Sequence, residues 1–331
     1  MATYKEIKGT QIEVLSSDPS NPVEGQVWYN STSNVLKGRA VTTAGSWATG
    51  GALNTGIEKS GGAGIQTSAL SFGGKLPSTT AGAESYNGTS WTEINSLNQA
   101  RNALGGAGAD NTSAVAFGGE HPSGGNQNKT ESYNGTNWTE VNDLNEARNS
   151  LAGCGTATAA LAFGGSAGPL SPSNRASTES WNGTNWTTVN NMNSGRYNLA
   201  GGGINTSAMA FGGYDTAQRA YSESWNGTNW TETNDLNEAR YSLAGAGASN
   251  TSALAFGGQP GLAGSSAKTE LWNGSNWTED GDLNNARVSL TGTGTATLAL
   301  VFGGEGPPPA QTLTEEWTGA GAGQTRTFTD S

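Results

Sequence analysis

An all-β chain assembled from six similar units is what this sequence predicts, and three observations predict it. The first is a period: Phe-Gly-Gly recurs at Phe72, Phe117, Phe163, Phe211, Phe256 and Phe302, spaced 45, 46, 48, 45 and 46 residues apart. Trp47, Trp91, Trp138, Trp186, Trp230 and Trp277 keep the same beat, and so do Arg101, Arg148, Arg196, Arg240 and Arg287. The second is that each unit divides into four short segments with strand character. The third is that no segment of about eleven residues or more holds a helical period. A fixed repeat of this length signals stacked or radially arranged units. Four strands in about 46 residues is the pattern of a β-propeller blade, so the expectation is a six-bladed propeller with four antiparallel strands per blade.

Each strand has its own justification. The first, "NSLAGCG" in one unit and "LAGAGA" in another, is small and Gly-rich, as backbones crowded around a central axis require. The second, "TAALAFGG", is apolar and stops at the glycine pair. The third and fourth, "TESYN" and "WTEVND", flank "NGT", and Asn-Gly is a strong signal for a type I′ hairpin turn with positive φ at both central residues. Residues 131–148, "ESYNGTNWTEVNDLNEAR", return nearly unchanged at 223–240.

The ends suggest how the last blade is completed. "SWATGGALN" enters as a fourth strand without a first and second, while "VSLTGTGTATLALVFGG" and "LTEEWTG" leave as first, second and third strands. A blade built from both termini is expected, and the C-terminal "QTRTFTDS" alternates well enough to compete for the same slot. The domains expected are an attachment segment over 1–44 and a propeller over 45–331.

Composition narrows the function. The 331 residues include 51 Gly and 11 Trp but only 13% charged residues, with a formal net charge of -11. That balance argues against a nucleic-acid binder, which needs clustered Lys and Arg. No apolar run reaches the roughly eighteen residues of a spanning helix, and no signal-peptide core is visible at the start. The single Cys154 excludes an intramolecular disulfide and sits among small apolar neighbours like an inert buried thiol.

A search for chemistry returns little. His121 is the only histidine and lies in a loop beside a proline. Glu84, Glu131, Glu179, Glu223, Glu270 and Glu315 recur once per unit, which suits pairing with the periodic arginines or turn capping better than the paired carboxylates of a glycosidase. The sequons at Asn87, Asn134, Asn182, Asn226 and Asn273 read as turn residues. No catalytic residue, metal site or cofactor is expected. The irregular segments 75–83, 120–130, 166–178, 214–222, 259–269 and 305–314 all join second to third strands and therefore share one face. Binding candidates on it are His121, Asn126, Arg175, Tyr214 and Arg219.

The order of Phe163-Gly164-Gly165, Trp181, Trp186 and Arg196, matched in the other full units, resembles the kelch repeat over roughly residues 45–318. That resemblance implies a propeller and leaves the activity open. "GQVWYNSTSNVLK" at 25–37 resembles a segment of tailed-bacteriophage virion proteins, especially tail-fibre and appendage proteins. It implies a non-enzymatic virion component: a tail, fibre or head-decoration protein made in the host cytoplasm. Residues 1 to about 25 would attach to other virion proteins, with homo-oligomers on the particle. The variable face would bind another virion protein or a host-surface glycan or receptor, with neither nucleic acid nor membrane insertion involved. The alternatives are a glycan-processing enzyme on the same scaffold and an intracellular kelch-type scaffold protein.

Overall fold

In every repeat the second strand carries the densest apolar run, and its side chains are enclosed on both faces. In Ser68–Phe72, for example, Ala69, Leu70 and Phe72 expose no surface. The computed structural model describes residues 12–20, 26–41, 44–75, 77–168, 174–261, 264–306, 312–320 and 323–328. Among them there is no helix; 28 strands form seven four-stranded sheets. The chain divides into two compact units, one of residues 1–45 with 319–331 and one of residues 46–318.

The larger unit holds six of the sheets, all antiparallel. Their first strands are Gly61–Ile65, Gly105–Asp110, Ala152–Thr156, Ala200–Ile204, Ala244–Ser249 and Thr291–Gly294. Each lies against the next, and Thr291–Gly294 lies against Gly61–Ile65. Close approach explains the glycines here: a Cβ on Gly106 would sit 2.6 Å from Phe72 Cζ. The chain then enters each first strand through a left-handed residue. Lys59, Ala103, Ser150, Asn198, Ser242 and Ser289 all have φ between 50° and 55°. Each donates its amide hydrogen to the carbonyl of the residue before it in that order, and Lys59 donates to Ser289, so the bonds run in a cycle.

Side chains link neighbouring sheets in the same direction. The fourth-strand Trp of one sheet meets the second-strand Phe of the previous one edge-on or tilted, at centroid distances of 4.9 to 5.0 Å: Phe72–Trp138, Phe117–Trp186, Phe163–Trp230, Phe211–Trp277, Phe256–Trp47 and Phe302–Trp91. The same indoles donate to a hydroxyl on the previous sheet's third strand, as Trp186 does to Thr130 at 3.0 Å and Trp91 to Thr314 at 2.9 Å. Trp138 is the exception. Its acceptor would be residue 83, which is Ala, and its buried Nε1 has no partner among the described residues.

A further link is a buried clamp. Arg148 Nη2 pairs with Glu179 at 2.9 Å, and its Nη1 donates to the carbonyls of Gly164 and Ser177 at 2.8 Å each. The other oxygen of Glu179 accepts from the amide and side chain of Asn145 at 2.7 and 2.8 Å. The connection "DLNEAR" thus fastens the sheet it leaves to the third strand of the one it enters. Arg101–Glu131, Arg196–Glu223, Arg240–Glu270 and Arg287–Glu315 repeat the geometry at 2.7 to 2.9 Å. All five arginines expose none of their surface.

Two expectations about turns and ends change. The hairpin turn is not type I′. Tyr133 pairs with Trp138, which leaves a four-residue loop in which Gly135 alone has positive φ, at 90°. Asn134 Oδ1 instead accepts the amides of Thr136 and Asn137 at 3.0 and 2.9 Å, so a side chain closes the turn. The open fourth-strand slot beside Thr314–Thr318 is taken by Ser46–Thr49, with Trp47 opposite Trp317. The C-terminal strand Gly323–Phe328 pairs with Val35–Val41 in the smaller unit, so residues 319–331 fall outside the repeat unit that was expected to end at 331.

The smaller unit has one sheet, ordered Glu13–Leu15, Val27–Asn30, Val35–Val41, Gly323–Phe328, with its first pair parallel. It does not join the last repeat sheet, as its third- and fourth-strand pattern allowed.

Two substitutions separate these links by sign. Arg196→Met leaves Glu223 buried without its counter-charge and should cost about 3–5 kcal/mol in chemical denaturation. Ala83→Thr supplies the acceptor missing for Trp138 and should raise stability by about 1 kcal/mol. A neutral Arg196→Met would remove the clamp from the account of stability.

Candidate functional site

The five candidate residues on the irregular loops fall into four places. His121 Nδ1 meets Ser123 Oγ at 2.7 Å within its own loop. Asn126 is structural: it donates to the Ser166 carbonyl at 2.7 Å and accepts from Asn149 at 2.9 Å, joining two sheets. Arg175 pairs with Glu146 at 2.5 Å, on a loop partly outside the described residues. None of these three converges on the others.

Tyr214 and Arg219 do share a patch. Tyr214 follows the glycine pair of its second strand and exchanges backbone hydrogen bonds with Tyr197 at 2.9 and 3.0 Å. Its ring lies 5.6 Å from that of Tyr197 and 5.3 Å from that of Tyr241, so three half-buried tyrosines stand in a row across neighbouring sheets. Burial raises the pKa of Tyr197, with Tyr214 and Tyr241 adding to the shift. Beside the row, Arg219 Nε donates to Asp215 at 2.8 Å and its guanidinium lies 5.2 Å from the ring centre of exposed Tyr221. Burial raises the Asp215 pKa, but hydrogen bonds from Arg219 and from backbone amides outweigh it and bring the group to about 2. The result is an aromatic surface edged by a fixed ion pair, suited to stacking and hydrogen bonding.

Tyr197 and Tyr241 were not among the sequence candidates, although a signal existed. Both directly follow the periodic Arg, where the other units carry Asn102, Asn149, Val288 and Glu58. Departures from the repeat at that position mark the patch.

The periodic carboxylates are held inside the clamps, where their oxygens accept hydrogen bonds from Asn and, in five sheets, from Arg. Cys154 is buried, and burial pushes its thiol up to about 12. Each sequon asparagine closes its hairpin as Asn134 does, for example Asn226 with Thr228 and Asn229 at 2.9 Å.

The N-terminal stretch has an organised centre of its own. Trp28 Nε1 and Asn30 Nδ2 donate to Asp18 Oδ1 at 3.1 and 2.8 Å, and Lys37 Nζ meets Asp18 Oδ2 at 2.7 Å. The Trp, Asn and Lys of "WYNSTSNVLK" therefore converge on one carboxylate. Residues 1–11 and 21–25, most of the stretch up to about residue 25 that was expected to make the attachment, lie outside the described residues.

The larger unit can now be compared with known proteins. The chain is similar to the solved structure of YjhT, with a TM-score of 0.64 and 14% identity, over 82% of this chain and 96% of that one. The fold is a β-propeller. In all, 382 solved chains are similar to it, so the architecture alone does not select an activity. No protein-family model matches the chain, and no curated protein sequence does.

The Asp18 cluster predicts a pH response in the smaller unit. The hydrogen bond from Lys37, then those from Asn30 and Trp28, lower the Asp18 pKa from 3.8 to about 2. A depressed carboxyl contributes stability above its unfolded pKa and loses it as pH falls through the folded one. Protection of the Trp28 indole proton, followed by NMR, should therefore fall between about pH 4 and 2, and Asp18→Asn should already show the low-pH state at neutrality.

Proposed function

We propose that the chain is a non-enzymatic interaction protein of a tailed-phage particle, built as a closed six-bladed kelch-type propeller. Six repeat sheets, the cycle of left-handed residues and the Phe–Trp contacts from each sheet to the next support six blades. Ser46–Thr49 beside Thr314–Thr318 supports closure of the last blade by the N-terminal side of the repeat unit. The segment at 25–37 supports the virion assignment through its resemblance to phage appendage proteins, with the N-terminal stretch as the attachment to other virion proteins.

The observation that carries the binding role is the row of Tyr197, Tyr214 and Tyr241 on the irregular-loop face, edged by Arg219 and Asp215. Aromatic rings present flat apolar area with a polar edge, which matches the faces and hydroxyls of a sugar. A host-surface glycan is therefore the preferred ligand of this face.

The test has two arms. Gold-labelled antibody against the repeat unit should decorate purified particles from the producing organism; bare particles would remove the virion role. Polysaccharide from the host surface should bind the intact chain, and Tyr214→Ala should weaken that binding about tenfold or more, the loss of roughly 1.4 kcal/mol. Unchanged binding by this variant would move the ligand away from the tyrosine row.

A further inference from the structure

The clamp that fastens the sheets is broken in one place. Residues 53–60 read "LNTGIEKS" where the others read "LNEARNSL" or close to it, so Ile57 stands at the position of the periodic Arg. The backbone confirms the equivalence. Gly304 N donates to Ile57 O at 2.8 Å, as Gly119 N does to Arg148 O at 2.8 Å.

The acceptors that meet a guanidinium in the other five sheets remain in the first. There, each arginine reaches the first carbonyl of the glycine pair, the carbonyl two residues before the Glu, and one Glu oxygen. The counterparts here are Gly73, Gly82 and Glu84. All three line a cavity of about 220 Å³, together with Ile57, Ile94 and Glu93. Glu84 is only 7% exposed. Its Oε2 accepts from Asn54 and its Oε1 from the Thr55 amide at 2.9 Å, and among the described residues no Lys or Arg pairs with it. Glu93, opposite Glu84 on the neighbouring strand, is exposed and places a second carboxylate at the cavity. A cavity beside the fourth sheet also touches Glu223, but it does not reach Gly212, whose carbonyl is occupied by Arg196.

We infer that the first-sheet cavity is a binding site for a guanidinium group supplied from outside the chain, by an arginine side chain of a partner or by a small guanidinium compound. The ligand docks as the five internal arginines do, with its two terminal nitrogens on Glu84 and on the carbonyls of Gly73 and Gly82. Ile57 and Ile94 offer apolar wall to its flat face and stem, and Glu93 with the negative net charge favours the approach of a cation. The planar fork is specific, since an ammonium cannot span the carboxylate and both carbonyls in the same plane. This site does not depend on the tyrosine patch.

Calorimetric titration of the full chain with Nα-acetyl-arginine amide tests it, with the lysine and citrulline amides as controls. One equivalent of the arginine amide should bind and raise the melting temperature. The lysine amide should bind about tenfold more weakly or worse, and citrulline, which is uncharged, should not bind. Ile57→Arg should abolish binding and itself raise the melting temperature by filling the slot from within. This variant keeps the test decisive even if Glu84→Gln, which should also abolish binding, folds poorly. An arginine tetrapeptide binding about tenfold tighter than the amide would identify a protein partner as the source, and equal binding a small molecule. No saturable binding to the wild-type chain, or binding retained by Ile57→Arg, overturns the proposal.

Discussion

A carboxylate buried in the third strand of each repeat organises the larger unit. Charge of that kind is tolerated in an enclosed site only when it is hydrogen-bonded and, best, paired with an opposite charge. Asn of the incoming connection meets that demand in all six repeats and Arg in five, and in doing so they fix the angle at which one sheet follows another. The link is made within a single connection and spans two sheets, so its repetition sets the geometry of the whole series. Edge-on Phe–Trp contacts and the indole–hydroxyl bonds then fill the wedge between sheets that the clamp has already positioned. Small first strands complete the arrangement, because Gly, Ala and an occasional Thr or Cys let the backbones near the axis approach closely.

Such a framework leaves the connections between second and third strands free. They contribute only backbone carbonyls to the clamp, as Ser177 and Lys129 do, and differ in length and content from one repeat to the next. Function can accumulate there without disturbing the packing, and the row of Tyr197, Tyr214 and Tyr241 is placed at the base of those connections. The first repeat departs from the rule in a different way. Ile57, Ala83 and Ser96 stand where other repeats carry Arg, a hydroxyl residue and often Asp, so the irregularities gather in one sheet. Their clustering produces both the unpartnered Trp138 indole and the cavity at Glu84.

Some of this was legible in the residues alone and some was not. The pairing of periodic Glu with periodic Arg follows from two charges of opposite sign sharing one beat. The turn at Asn134 misled because Asn-Gly suits a two-residue turn, whereas strand pairing at Tyr133 and Trp138 leaves four residues and hands the closing acceptor to the Asn side chain. Tyr214 and Arg219 were visible as members of an irregular loop. Tyr197 and Tyr241 were hidden by lying next to the conserved beat of the arginines, on connections that look regular until the sheets are set side by side.

The sequence by itself determined the repeat, the number of strands in it, the residues that close on the glycine pair and the face on which variation occurs. These depend on local periodicity and on side chains that recur at fixed spacing, which a one-dimensional pattern records fully. Only the tertiary structure decided which terminus fills the slot beside Thr314–Thr318, that Gly323–Phe328 joins a separate sheet, and that Ile57 faces the acceptors of a missing arginine. Those outcomes turn on competition between segments hundreds of residues apart and on which groups end within hydrogen-bond reach, and neither quantity is written in local spacing.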